Sequence, residues 1–264
     1  MSFIERIQQA VPEGLGVCVG LDPIVERMPP CFKTASEPLY SFNAAIIEAT
    51  FEAAVAYKPN LAFYERYGAS GWEQLAKTVK AVPEGKIVIL DCKRGDIGST
   101  SATYAEAMFH QLGADAVTVS PYLGSDSLSP FLEETEKGAF VLALTSNPGG
   151  AEVQELKADG MPVYLHIIDL CRRLNKNRNV GLVVGATRPE HWPRVLEAAG
   201  DLPLLIPGVG AQGGDPVALR RLLQGYPAPA FVNSSRAIIF ASRGDDFADA
   251  ARIAAFKLKE ELVG

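Results

Sequence analysis

Eight short apolar runs punctuate this chain: Gly16–Leu21, Ala56–Pro59, Ile87–Cys92, Ala116–Val119, Phe140–Leu144, Gly181–Val184, Leu204–Pro207 and Phe231–Asn233. None alternates apolar with polar residues, which is the pattern of strands covered on both faces in a parallel sheet. Gly and Pro flank most of them. Between them lie amphipathic stretches, Leu39–Ala54, Gly71–Ala81, Ser101–Leu112, Val163–Asn175, Arg188–Ala199 and Pro216–Gln224, long enough to be the crossover helices that parallel strands require. Asp246–Leu262 reads as a closing helix. Eight β-then-α units in 264 residues, with no Ser/Gly-rich linker and no break in composition, predict one α/β domain over residues 1–264. The predicted form is a closed (β/α)8 TIM barrel rather than a doubly wound open sheet.

Composition narrows the function classes. At 48% hydrophobic and 21% charged residues the chain can bury a substantial core, which excludes a disordered or fibrous protein. A net charge of −6 argues against a broad nucleic-acid or anionic-membrane surface, yet leaves room for one local phosphate pocket. Cys18, Cys31, Cys92 and Cys171 lack CxxC spacing and read as buried thiols of a chain in the reducing cytoplasm, without disulfides. His110, His166 and His191 are far apart in sequence and form no HxxxH or HExxH pattern, so neither a zinc site nor a Ser-His-Asp triad is expected. The first residues carry Glu5 and Arg6 in an amphipathic rhythm rather than the unbroken apolar core of a secretory leader. No apolar run approaches the ~18 residues of a membrane span.

In such a barrel chemistry sits at the carboxyl ends of the strands. Asp22 follows the first run, Lys58 and Asn60 end the second, Asp91 and Lys93 end the third, Thr145, Ser146 and Asn147 follow the fifth, and Arg236 lies past the eighth. IVILDCKRGDIGST is the densest of these segments, passing abruptly from four apolar residues to Asp91, Lys93 and Asp96. Asp91 and Lys93 are two apart and so share one face of an extended strand. Carboxylates beside Lys93 favour its ammonium form, making it a cation and proton donor rather than a Schiff-base nucleophile. The bland alternative is a solvated ion-pair cluster at a strand end. Lys58 in AYKPN projects toward the same mouth, and Asp22 in CVGLDP is either a turn residue beside Pro23 or a site residue.

IPGVGAQGGD leaves the seventh run with four glycines whose amides are expected to cradle a phosphate, and NSSRAI supplies Arg236 as its charge-assisted partner. Barrels frequently hold phosphate with the loops after strands seven and eight. A dinucleotide-binding reading of GVGAQGG is weaker, because it comes late in the chain and no acidic residue ends the next strand.

Taken in order, CVGLDP, YKPN, the DxKxxDI stretch Asp91-Cys92-Lys93-Arg94-Gly95-Asp96-Ile97 with Thr100, LTSNPGG, PGVGAQGGD and NSSR resemble the orotidine 5′-phosphate decarboxylases, in particular their longer bacterial branch. The resemblance spans nearly the whole chain. It implies a (β/α)8 homodimer that converts orotidine 5′-monophosphate to uridine 5′-monophosphate, closing pyrimidine nucleotide synthesis, without metal or cofactor. Lys58, Asp91, Lys93 and Asp96 are then the catalytic charge network, with Asp96 and Thr100 reaching into the partner's site. By the same resemblance Asp22 holds a ribose hydroxyl, Ser146 reads the pyrimidine edge, and Gln212 bridges base and phosphate. Pro207, Gly208 and Gly210 belong to the phosphate loop, and Arg236 binds the phosphate. The rival readings are a metal-dependent barrel acting on a sugar phosphate and a catalytically silent nucleotide-binding barrel.

Overall fold

The computed structural model describes residues 1–210 and 213–264. Eight parallel strands close into a barrel: β1 (Leu15–Leu21), β2 (Ala54–Pro59), β3 (Ile87–Arg94), β4 (Ala116–Val119), β5 (Gly138–Leu144), β6 (Val180–Val184), β7 (Leu204–Pro207) and β8 (Ala230–Ser234). Neighbours in the ring are neighbours in sequence, and β1 closes it against β8, with Cys18 opposite Asn233 and Val19 opposite Ser234. The principal outer helices are α2 (Pro38–Thr50), α3 (Gly68–Lys80), α4 (Gly98–Glu106), α5 (Val163–Leu174), α6 (Trp192–Ala199), α7 (Pro216–Leu222) and α8 (Phe247–Val263), numbered after an N-terminal α1 (Phe3–Ala10). No helix among the described residues is long and apolar enough to cross a membrane.

The eight strands fall where the apolar runs place them. The helices depart in several places, among them the start of α3, at Gly68 rather than Gly71, and of α6, at Trp192 rather than Arg188. The stretch Leu39–Ala54 stops at Thr50, because Ala54 is taken by the sheet opposite Val17. Ser101–Leu112 begins at Gly98 and ends in a π-turn over Ala107–Gln111. The crossover between β4 and β5 carries only single turns, Ser125–Leu128 and Ser129–Leu132.

Alternation along the strands makes two cores. Outward residues such as Val17, Val19, Leu90 and Val117 pack under the helices. Inward residues Cys18, Ala56, Ile89, Ala116, Phe140 and Phe231 fill the barrel. The lower end is stopped by α1, whose Phe3, Ile4 and Ile7 are buried. Phe3 meets Phe140 edge-on at 6.2 Å, and Phe140 meets Phe231 at 5.8 Å. A Cβ at Gly138 would fall 2.3 Å from the Phe3 ring, so glycine there makes room for the stopper. Arg6 donates to Asp115 at 2.6 Å, and Asp115 also accepts the Val88 amide at 2.8 Å, fixing α1 to the rim. Contrary to the reading of four buried thiols, Cys31 is exposed as the second residue of a four-residue helical turn, Pro30–Lys33; all four cysteines are free.

Candidate active site

The inward parity that buries Ala56, Ile89, Ala116 and Phe231 brings Lys58, Asp91, Thr118 and Asn233 to the same face two residues later, one layer higher, at the carboxyl mouth. Lys58 Nζ donates to Asp91 Oδ2 at 2.8 Å, and Lys93 Nζ donates to Asp91 Oδ1 at 2.6 Å. The Lys58 side chain is 5% exposed and that of Asp91 13%, whereas that of Lys93 is half-exposed at 50% and faces the mouth. Burial alone would raise the Asp91 carboxyl, but the Lys58 and Lys93 ammonium groups outweigh it and hold the acid well below the usual carboxylate range. Burial likewise opposes charge on Lys58, and the Asp91 and Asp22 carboxylates overcome it, keeping this lysine an ammonium.

The backbone here is irregular. Leu90 pairs with Val117 and Arg94 with Val119, so residues 91–93 bulge opposite Thr118. Lys93 adopts a left-handed conformation with φ +46°, a strained state for a lysine of the sort that clusters at functional sites. The chain then turns at Gly95, where a Cβ would fall 2.9 Å from the Ser120 carbonyl oxygen. This turn explains a correction to the sequence reading: among the described residues only one carboxylate, Asp91, lies within ion-pair distance of Lys93. Asp96 instead accepts the Ile97 amide at 2.8 Å, and Thr100 is exposed on α4. Asn60 also stays outside the charge array, its side chain accepting the Ala62 amide at 3.2 Å.

Asp22 follows β1 with its Oδ1 buried and unpartnered, and Ser235 Oγ, past β8, is in the same condition. Ser235 packs against β1 at the β1–β8 seam, where a Cβ at Gly20, two residues before Asp22, would fall 2.6 Å from that of Ser235. Orphaned buried polar atoms call for a partner. Beside them Arg236 is exposed at the start of a short helical turn that ends at Phe240, and Arg27 lies 4.5 Å over the Phe240 ring. Arg27 Nε is buried without a partner, and burial, then Arg243, then Arg236, disfavours its charge. None of these three arginines is ion-paired among the described residues, so positive charge accumulates at this end of the mouth.

Pro207 ends β7, and its carbonyl accepts the Ala186 amide at 2.9 Å. The glycine loop after it corrects the expectation of four open amides. Gly214 donates to the Gly208 carbonyl at 3.0 Å, Gly210 to that of Gly214 at 3.1 Å and Gly213 to that of Gly210 at 2.9 Å. Those three amides hold the loop's own shape, at φ +95°, +79° and +95° for Gly208, Gly210 and Gly213. A Cβ at Gly210 would sit 3.6 Å from that of Ala237, so the loop leans over the Arg236 turn. Gln212 lies outside the described residues.

The loop after β5 is braced from β6. The Ser146 carbonyl accepts from Thr187 Oγ1 at 3.2 Å, and Arg188 pairs with Glu155 while reaching the Asn147 and Pro148 carbonyls at 3.4 Å each. Sequence reasoning passed over Thr118, Arg27 and Arg188. The first looks like any strand residue in AVTV; Arg27 ends a short 3-10 turn and Arg188 stands in a loop, each with neighbours far away in sequence.

Residues 16–252 match the family described as Orotidine 5'-phosphate decarboxylase / HUMPS family. The chain is 48% identical over 266 residues to an orotidine 5'-phosphate decarboxylase of Roseiflexus castenholzii, covering 99% of this chain and 97% of that one. Leishmania donovani OMP decarboxylase superposes with a TM-score of 0.83 at 37% identity, covering 99% of this chain and 97% of that chain. The UMP synthase of the same organism gives 0.87 at 39% identity, and there 99% of this chain spans 56% of the longer polypeptide. With the barrel, the lysine–aspartate–lysine array at its mouth and likeness at this level over nearly full length, the chain belongs to the orotidine 5′-phosphate decarboxylase / HUMPS family.

Proposed function

We propose that this chain decarboxylates orotidine 5′-monophosphate to uridine 5′-monophosphate. The observation that carries the reading is the alternating Lys58–Asp91–Lys93 array, in which one buried carboxylate is gripped on both oxygens and one ammonium is left facing the mouth. Loss of CO2 from C6 of the pyrimidine leaves an sp2 carbanion with little delocalisation, so a fixed cation at that carbon lowers the barrier. Lys93 supplies it and then delivers the proton to C6, in a site that keeps its charges preorganised. This chemistry draws on no metal or cofactor. Both Asp91 oxygens already face ammonium groups, which leaves that carboxylate poorly suited to hold a divalent ion.

The orphaned Asp22 Oδ1 supports a ribose hydroxyl partner, and the arginines at Phe240 support a phosphate bound by Arg236 under the loop of Pro207, Gly208 and Gly210. Ser146 is assigned to the pyrimidine edge and Gln212 to the bridge between base and phosphate. Gripping the phosphate far from C6 puts remote binding energy to work on the reacting carbon. Asp96 and Thr100 act in the partner's site of a homodimer. In support, Ile97 is 61% exposed beside Asp96, and Tyr122 is 85% exposed in the loop after the neighbouring strand β4. The whole chain works as one barrel domain, residues 1–264, in the cytoplasm, its partners being the substrate and a second copy rather than nucleic acid or membrane.

The test is the ultraviolet change as orotidine 5′-monophosphate becomes uridine 5′-monophosphate, with EDTA present. Turnover that survives the chelator supports the reading; activity abolished by EDTA favours a metal-dependent sugar-phosphate barrel, and no turnover by folded protein favours a silent nucleotide binder. Shared sites are tested by mixing inactive Asp96→Ala and Lys93→Ala subunits. Recovered activity is expected, since one site in each mixed dimer then holds both wild-type residues, and no recovery after verified exchange refutes the sharing.

A further inference from the structure

The bulge at residues 91–93 removes the amides of Cys92 and Lys93 from the regular ladder with β4. One side-chain oxygen receives both: Thr118 Oγ1 accepts from Cys92 N at 3.1 Å and from Lys93 N at 3.0 Å. Its single proton goes to Asp91 Oδ1 at 3.0 Å, the same oxygen that takes the Lys93 ammonium. A hydroxyl has one donor and two acceptor positions, and all three are used here. Thr118 is itself 2% exposed, on the neighbouring strand, and so is a fixed point.

On the decarboxylase reading above, we propose that Thr118 is the positioning residue of the catalytic pair. It holds the left-handed backbone from which Lys93 departs, and it orients the carboxylate on which the Lys93 ammonium rests. It acts on the reaction only through Asp91 and Lys93. Valine has the same shape without the hydroxyl, so Thr118→Val strands two part-buried amides and releases one donor from Asp91. Serine keeps all three bonds.

The experiment compares wild type, Thr118→Val and Thr118→Ser for kcat and KM with orotidine 5′-monophosphate, and for the Kd of uridine 5′-monophosphate by calorimetry, thermal melting establishing the folded fraction. Thr118→Val is expected to lose roughly a hundredfold in kcat, the scale of a ~1 Å misplacement of a reacting group. KM and product Kd should stay near wild type, and Thr118→Ser should regain most of kcat. Should Thr118→Val fail to fold, Thr118→Ala against Thr118→Ser makes the same comparison, alanine losing kcat and serine keeping it. The role is overturned if kcat is unchanged without the hydroxyl, if kcat and product affinity fall together, or if serine does no better than valine or alanine. An inactive wild type would instead overturn the decarboxylase reading, and this role with it.

Discussion

Lys93 Nζ lies 2.6 Å from Asp91 Oδ1, and the backbone carrying it has turned left-handed at φ +46°. The side chain is half-exposed at 50% and makes no core contact on which the barrel depends. Lys93→Ala should therefore lower turnover of orotidine 5′-monophosphate by at least ~10²–10³-fold, the scale for deleting one preorganised charge-stabilising group. Its melting temperature should stay near wild type. Near-normal turnover would remove Lys93 from the chemistry.

Asp91 is a different case, because it neutralises a buried ammonium. Replacing it with Asn leaves Lys58 desolvated without its closest counter-charge, an expected destabilisation of about 3–5 kcal/mol near neutral pH. The pH dependence follows from the depressed acidity of the native carboxyl. The unfolded chain holds that proton with an ordinary pKa of about 3.9, so the contribution is fully present above it and is lost as pH falls through the native value. Denaturant titrations should show the gap between wild type and Asp91→Asn intact from pH 7 to about 5 and narrowing below 4. A constant gap down to pH 2 would contradict the ion-pair account.

Arg27 and Arg236 are expected to act on the phosphate. Alanine at either position should weaken uridine 5′-monophosphate roughly tenfold to a hundredfold, the scale of a charge-assisted hydrogen bond of ~1.5–3 kcal/mol. Affinity for uridine, which has no phosphate, should change little. Calorimetry with the two ligands separates the cases, and equal losses for both would show a general disturbance of the mouth.

Gly138 tests the stopper. A methyl group there meets the Phe3 ring, whose nearest atom lies 2.3 Å from the added carbon, and overpacking of this kind costs about 1–3 kcal/mol. Gly138→Ala should melt lower with kcat unchanged at temperatures where it is folded. Adding Phe3→Leu should recover part of the loss, and a Gly138→Ala protein as stable as wild type would mean that Phe3 is not held tightly.

The strands were legible because their chemistry is local: Ile87–Leu90 and Leu204–Pro207 are apolar on both faces, and the structure differs from the predicted bounds Ile87–Cys92 and Leu204–Pro207 by two residues at most. Lys58 and Asp91 were legible because strand parity carries them inward. What was hidden depends on distant neighbours. Phe3 reads as one face of an ordinary surface helix until Gly138 and Phe140 are placed around it. Thr118 reads as a strand residue until a bulge one strand away hands it two amides. The stretch ending at Ala54 ran too far because Phe51, Ala53 and Ala54 fit a helical face as well as a strand start. The separation of Asp96 from Lys93 is set by a left-handed residue and a glycine, which spacing alone does not encode.

Cys18 and Asn233, joined by a hydrogen bond at 3.6 Å across the closing seam, are 215 residues apart along the chain. During synthesis β1 is made well before β8, and one of its edges has no partner until Ala230–Ser234 has left the ribosome. An unpaired apolar edge invites pairing with other chains, and a contact of this sequence separation makes folding slow. A chain stalled or clipped before Ala230 is therefore an open, adhesive ribbon and a client for chaperones rather than a smaller working barrel.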